Sequence, residues 1–155
     1  MSEVLTLVNV VTRLLEKDNI LILCHKNPDG DTLGSAGALA MALKSLKKTV
    51  AILCEDRIPD RYDYMEIEIF DGGFEPEYIV SVDVAGLQLF GDSVVGYGEK
   101  CDLCIDHHPS NTGFAKATFV QGNAAATAEI IFDIITQMEV RLTGQMADCL
   151  YTGVA

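Results

Sequence analysis

Three short apolar runs, each ending in an acid or a histidine, constrain the fold of this chain more than any other feature. They are ILILCH at 20–25, YIVSVDV at 78–84 and CDLCID at 101–106, the last followed directly by His107 and His108. Short runs rich in Ile, Val and Leu, with no polar alternation, read as strands buried on both faces. VAILC at 50–54 is a fourth such run; residues 66–70 hold a short candidate strand, and 118–120 a candidate edge strand. Between them the period changes to that of helices. Val4, Leu7, Val8, Val11, Leu14 and Leu15 predict a helix over 3–17, and Leu33, Ala36, Leu39, Ala40 and Leu43 another over 32–46. Residues 125–138 and 144–154 read as two more, the second capped by Thr143. Strands alternating with helices predict an α/β fold, with a mainly parallel sheet and helices on both faces. A length of 155 residues fits one domain.

In open parallel sheets, ligands bind beyond the carboxyl ends of the strands. That rule gives the strand-terminal residues meaning. His25 leads into Asp29 and Asp31, the second strand ends at Asp83, and the third ends at Asp106, His107 and His108. Read singly, each has a plainer role: an aspartate at a strand end caps a turn, and a histidine in an apolar run is a satisfied core residue. If the strands are parallel neighbours, however, all these side chains share one rim, and all three histidines of the chain are among them. Several carboxylates in one place repel each other unless cations neutralise them. Imidazole with carboxylate suits Mn, Fe, Co or Zn better than Ca. A carboxylate shared by two ions would set them roughly 3.5–4 Å apart, a spacing suited to activating a water and stabilising charge on a phosphate.

The loop N-P-D-G-D at 27–31 has its own logic. Pro28 restrains Asn27 away from helical geometry, and Gly30 is expected to take a conformation other residues resist. The small residues Gly34, Ser35 and Gly37 are expected to let the following helix lie close to the sheet. Thr127 and Glu129 read as a helix start, both in a capping role. Asn111 is placed to tie down the loop after the histidines, and Arg57 and Arg61 read as solvated surface.

A formal net charge of −12, with Lys44, Lys47 and Lys48 as the one basic cluster, argues against long duplex DNA as a partner. No apolar run reaches the length of a membrane span. The N-terminus lacks the basic start and cleavage site of a signal peptide. Five cysteines, mostly in apolar runs, suit reduced thiols and a cytoplasmic location. Cys101 and Cys104 form a lone C-x-x-C within a predicted strand, where residues three apart point to opposite faces.

H-K-N-P-D-G-D-x-x-G-S at 25–35, V-D at 82–83 and D-H-H-P-S-N at 106–111 resemble motifs I, II and III of the DHH phosphoesterase superfamily, in order and spacing. A-A-A-T-A-E-I-I at 124–131 resembles the helix start after motif III in the nanoRNase and pAp-phosphatase branch. The resemblance implies a Rossmann-like catalytic domain over 1–155. It implies that His25, Asp29 and Asp83 bind one divalent ion, and that Asp31, Asp83 and His107 bind a second, with Asp83 as the bridge. His108 would face the scissile phosphate, and Asp106 would orient the histidines. The ions would be manganese, with magnesium or cobalt as substitutes. The implied activity is two-metal hydrolysis of short oligoribonucleotides or of 3'-phosphoadenosine 5'-phosphate (pAp). The enzyme alternatives are a manganese inorganic pyrophosphatase and a cyclic dinucleotide phosphodiesterase; a regulatory or binding module keeping the fold is the non-enzymatic one. The family's fourth motif, a T-D-T-G-like segment with a further aspartate, is expected just past Ala155, and its DHHA1 domain is not within these residues. Asp148 lies too early to serve. The expectation is therefore a domain incomplete at its C-terminus, weakly active alone, with the second ion held less readily and uncovered apolar surface that favours a homo-oligomer.

Overall fold

The apolar runs fold as parallel strands in the computed structural model, which describes residues 1–155. In chain order the elements are β1 (Glu3–Val4), α1 (Leu7–Glu16), β2 (Ile20–Leu23), α2 (Gly30–Ser45), β3 (Val50–Leu53), β4 (Tyr78–Val82), α3 (Val95–Gly98), β5 (Leu103–Asp106), β6 (Ala117–Val120), α4 (Thr127–Gln137) and α5 (Gly144–Val154). Short 3-10 turns lie at Asp60–Met65 and Leu87–Leu89. The strands form one sheet in the order β1-β6-β5-β4-β2-β3, every pair parallel. From β2 the chain moves outward to β3, then crosses back to β4 on the other side of β2 and continues outward through β5 and β6. The strand order therefore reverses between β2 and β4, and a crevice at such a reversal is where open α/β sheets take ligands.

Pleating divides the apolar side chains between two cores. Ile20, Ile22, Val80, Val82, Leu103 and Ile105 face the larger one, which α1, α2, α4 and α5 cover. Leu21, Leu23, Ile79 and Cys104 face a smaller one, closed by Phe90 and Val94 around the 87–89 turn and α3. Helices thus lie on both faces, but unequally. Helix α2 is buried along most of its length, from Thr32 to Leu43, because it runs between the sheet and the pair α4–α5. This explains why its apolar residues are not confined to one stripe.

The structure departs from the sequence reading at several points. The predicted helix over 3–17 begins only at Leu7. Thr6 Oγ1 accepts from Asn9 N–H at 3.2 Å, and Asn9 Oδ1 accepts from Thr6 N–H at 3.4 Å, so a capping box stops the helix there. The freed residues Glu3 and Val4 add a strand outside β6, with Glu3 N–H on the Lys116 carbonyl. Residues 118–120 are consequently not at the edge. The candidate strand near 66–70 shrinks to one bridge, Ile52 with Ile69. Thr143 does cap α5, accepting from Met146 N–H at 3.2 Å. Cys101 precedes β5 rather than lying within it, and its thiol shares the smaller core with Cys104 instead of facing away. All five cysteines are buried and free.

The glycines of α2 serve a different contact from the one expected. A Cβ on Gly34 would stand 2.2 Å from the Cys149 carbonyl oxygen, and one on Gly30 would stand 2.8 Å from that of Thr152. These positions seat α2 against α5, not against the sheet. Gly30 is helical; the left-handed residue of the loop is Asn27, with φ 50°. Gly34→Ala should therefore destabilise the fold by about 1–3 kcal/mol through overpacking, because backbone rather than a movable side chain blocks the methyl group. An unchanged urea midpoint would show that the two helices can move apart freely.

Candidate metal centre

The register of the sheet delivers the strand-terminal residues to one place. β4 lies between β2 and β5, so the residues following all three strands emerge side by side. Asp83 occupies the middle. It is 4% exposed and left-handed, with φ 65°, a conformation that costs a non-glycine residue about 1–3 kcal/mol. Its N–H bonds to the Ile105 carbonyl at 3.0 Å, which pins the turn to β5. Its two carboxylate oxygens face opposite ways. Oδ2 lies 3.8 Å from His25 Nε2; Oδ1 lies 3.4 Å from His107 Nε2 and 3.8 Å from His108 Nδ1.

Two overlapping groups result. In the first, His25 Nε2 sits between Asp83 Oδ2 and Asp29 Oδ1, the latter 3.5 Å away. In the second, His107 Nε2 sits between Asp83 Oδ1 and Asp31 Oδ2, the latter 3.6 Å away. An ion bonded to such atoms at about 2.0–2.2 Å places neighbouring ligand atoms roughly 3.0–3.5 Å apart, so small adjustments would let each group close on one. The ring tautomers suit that use. His25 Nδ1 lies 2.7 Å from the Lys26 carbonyl and His107 Nδ1 lies 3.2 Å from the Ala124 carbonyl. A carbonyl only accepts, so each Nδ1 carries its proton, and Nε2 is the atom left to bind a cation. The donor set therefore fits divalent cations.

His108 also stands close to Asp83 and His107, and by distance alone it could complete the second group. Its chemistry favours Asp31 in that place. His108 Nδ1 already donates to Asp106 Oδ1 at 2.6 Å, whereas Asp31 brings a charge. Asp106 itself is fully buried. Its Oδ1 also accepts from His107 N–H at 2.8 Å, and its Oδ2 accepts from Asn111 Nδ2 at 2.8 Å. Asn111 in turn accepts from Gly113 N–H, so it does tie the loop down. Arg57 pairs with Asp60 on the surface.

The two groups differ in charge balance: His25 pairs with Asp29 and Asp83, whereas Asp31 meets Asp83 as a like charge. Burial and the neighbouring Asp83 hold the Asp31 carboxyl up at about 6. Burial would lower the His25 pKa, but Asp29 and Asp83 outweigh it and raise it to about 10; His25 correspondingly lowers Asp29 to about 2. Burial also raises every thiol, Cys24 most of all, so none is primed as a nucleophile.

One group of contacts had almost no signal in the sequence. Thr127 does not cap α4 through its side chain; the N-cap is Ala126, which has no side-chain acceptor. Asp31 takes that role from another helix, accepting from Thr127 N–H at 3.0 Å and Ala128 N–H at 2.9 Å. This leaves the Thr127 hydroxyl free to donate to Asp83 Oδ1 at 2.9 Å. A fold bringing residues 31, 83 and 127 together was needed to expose it.

Comparison with known proteins agrees with this architecture. Residues 19–154 match the DHH family, N-terminal domain. The chain belongs to that family. More particularly, it is similar to a protein named probable bifunctional oligoribonuclease and PAP phosphatase NrnA from Streptococcus mutans, with 27% identity over 94% of this chain and 47% of the relative. It is 29% identical to the bifunctional oligoribonuclease and PAP phosphatase NrnA of Thermus thermophilus, over 87% of this chain and 42% of that protein. Among solved structures, an exopolyphosphatase-related protein from Bacteroides fragilis superposes with a TM-score of 0.80 at 26% identity, covering 95% of this chain and 48% of the other. The chain thus spans about half the length of these relatives. No helix is long and apolar enough to cross a membrane.

Proposed function

We propose that this chain is the catalytic domain of a phosphoesterase that hydrolyses short oligoribonucleotides or pAp, using two divalent ions, manganese by preference. The observation that carries the reading is the pair of ligand groups sharing the two oxygens of Asp83. The names of the similar proteins support the substrate class, and the buried free thiols suit the reducing cytoplasm.

Bound there, two divalent cations would neutralise the carboxylates and lend Lewis acidity to the phosphate and to an attacking water. The chain's own residues do the rest. His25, Asp29 and Asp83 would hold one ion; Asp31, Asp83 and His107 would hold the other. The Lys26 and Ala124 carbonyls lock the two imidazoles with Nε2 inward. His108 keeps Nδ1 on Asp106, which directs its other nitrogen outward from a side chain that is 41% exposed. Burial would lower the His108 pKa, but Asp106 raises it, and the outward nitrogen is placed to donate to a phosphate oxygen or to the leaving oxygen. The test is release of mononucleotide from a diribonucleotide, and of phosphate from pAp, by the longest polypeptide containing this domain. Manganese-dependent turnover of either is expected. Activity on pyrophosphate or cyclic dinucleotides alone would reassign the substrate.

Acidity should govern the ions. Protonated His25 and Asp31 cannot bind, so apparent Mn2+ affinity should rise about tenfold per pH unit at the His25 site below pH 10, and at the Asp31 site only below pH 6. Stability without metal has the opposite sign. Both groups have raised pKa values, so their contribution is lost as pH rises, through about 6 for Asp31 and about 10 for His25. The gain in Tm on adding Mn2+ should therefore widen between pH 5 and pH 8. An equal gain at both would contradict these assignments.

A further inference from the structure

The segment Ala124–Ala128 hydrogen-bonds to all three members of the second ligand group and to neither of the residues peculiar to the first. The Ala124 carbonyl accepts from His107 Nδ1 at 3.2 Å. The Thr127 hydroxyl donates to Asp83 Oδ1 at 2.9 Å, the oxygen that faces His107, not the one that faces His25. The Thr127 and Ala128 amides each hold one oxygen of Asp31. Thr127 is fully buried, so its hydroxyl has no water to turn to. The geometry points to Thr127 as a positioning residue that sets the second ion site selectively, by holding Asp83 Oδ1 and anchoring the helix start that fixes Asp31.

The physical reason is pre-organisation. A carboxylate free to rotate must give up that freedom when a cation binds; one already held by a donor has lost it on folding. Oδ1 keeps a lone pair for an ion after accepting one hydrogen bond. The neighbouring contacts give the effect its direction. Helix α4 starts at Thr127, and its first two amides present partial positive charge to Asp31, easing the meeting of Asp31 and Asp83 before any cation arrives. Loss of the hydroxyl would let Asp83 swing toward His25 and Asp29, leaving the first site nearly intact and the second loose.

The inference rests on the two-ion reading proposed above, and a Mn2+ titration followed by calorimetry and electron paramagnetic resonance separates the two. If the longest wild-type polypeptide containing this domain takes up fewer than two ions through the millimolar range, the two-ion reading itself fails. With two ions in the wild type, Thr127→Val, which keeps the shape and removes the donor, should weaken one site by about 10–100-fold and lose the exchange-coupled spectrum of a manganese pair, while the other site changes little. Thr127→Ser should restore both. Should the valine variant not fold, Thr127→Ala against Thr127→Ser makes the same comparison. Two ions bound with wild-type affinity in the folded Val or Ala variant would overturn the inference. So would equal weakening of both sites, or a folded Ser variant that fails to restore the second ion.

Discussion

Asp83→Asn should lose both ions and nearly all turnover. The two oxygens of this one side chain face the two histidines on opposite sides, so replacing the carboxylate withdraws a ligand charge from both groups at once. The amide is close to the same size, and the left-handed backbone at this position is one that asparagine adopts readily. The fold should therefore survive. A metal-dependent reaction deprived of its ions loses several kcal/mol of transition-state stabilisation, on the order of a thousandfold in rate. Metal content by mass spectrometry and turnover of pAp, measured on the same sample, give the answer. A variant that keeps two ions and full rate would show that Asp83 is not the bridge.

His108→Ala should separate rate from metal binding. The His108 ring is anchored to Asp106, not committed to either ligand group, and its free edge faces outward. Its loss should lower kcat by about 10²–10³, the scale of removing one donor aimed at developing charge. Metal content should stay the same. His107→Ala, by contrast, should lose one ion, because its Nε2 lies between Asp31 and Asp83. Equal metal loss in the two variants would mean that His108 is a ligand and that the division of roles is wrong.

Much of this arrangement was legible before any coordinates. The runs at 20–25, 78–84 and 101–106 are mostly apolar because the strands are buried on both faces, and that character marks parallel strands in a single chain. Once they are parallel neighbours, the meeting of His25, Asp83 and His107 follows. What failed to show was of two kinds. Some was local: the capping box at Thr6 and Asn9 overrides a helical apolar period that runs on through Val4, and β1 exists because β6 offers a partner more than a hundred residues away. The rest was pairwise. Gly34 reads as a small residue for close packing, but nothing in the sequence says that Cys149 is what it meets. Thr127 at a helix start invites the capping assignment, whereas its hydroxyl is used on Asp83 because Asp31 has taken over the cap. Contacts between side chains distant in sequence have no periodic signature, so a single sequence does not carry them.

Two ions bridged by Asp83 on one rim would give a distinct anomalous signal. It is read by soaking crystals of the longest polypeptide containing this domain in millimolar Mn2+ and measuring anomalous scattering. The expected result is two peaks about 3.5–4 Å apart, with Asp83 between them, His25 and Asp29 on one, and His107 and Asp31 on the other. A single peak, or two peaks that do not share Asp83, would contradict it.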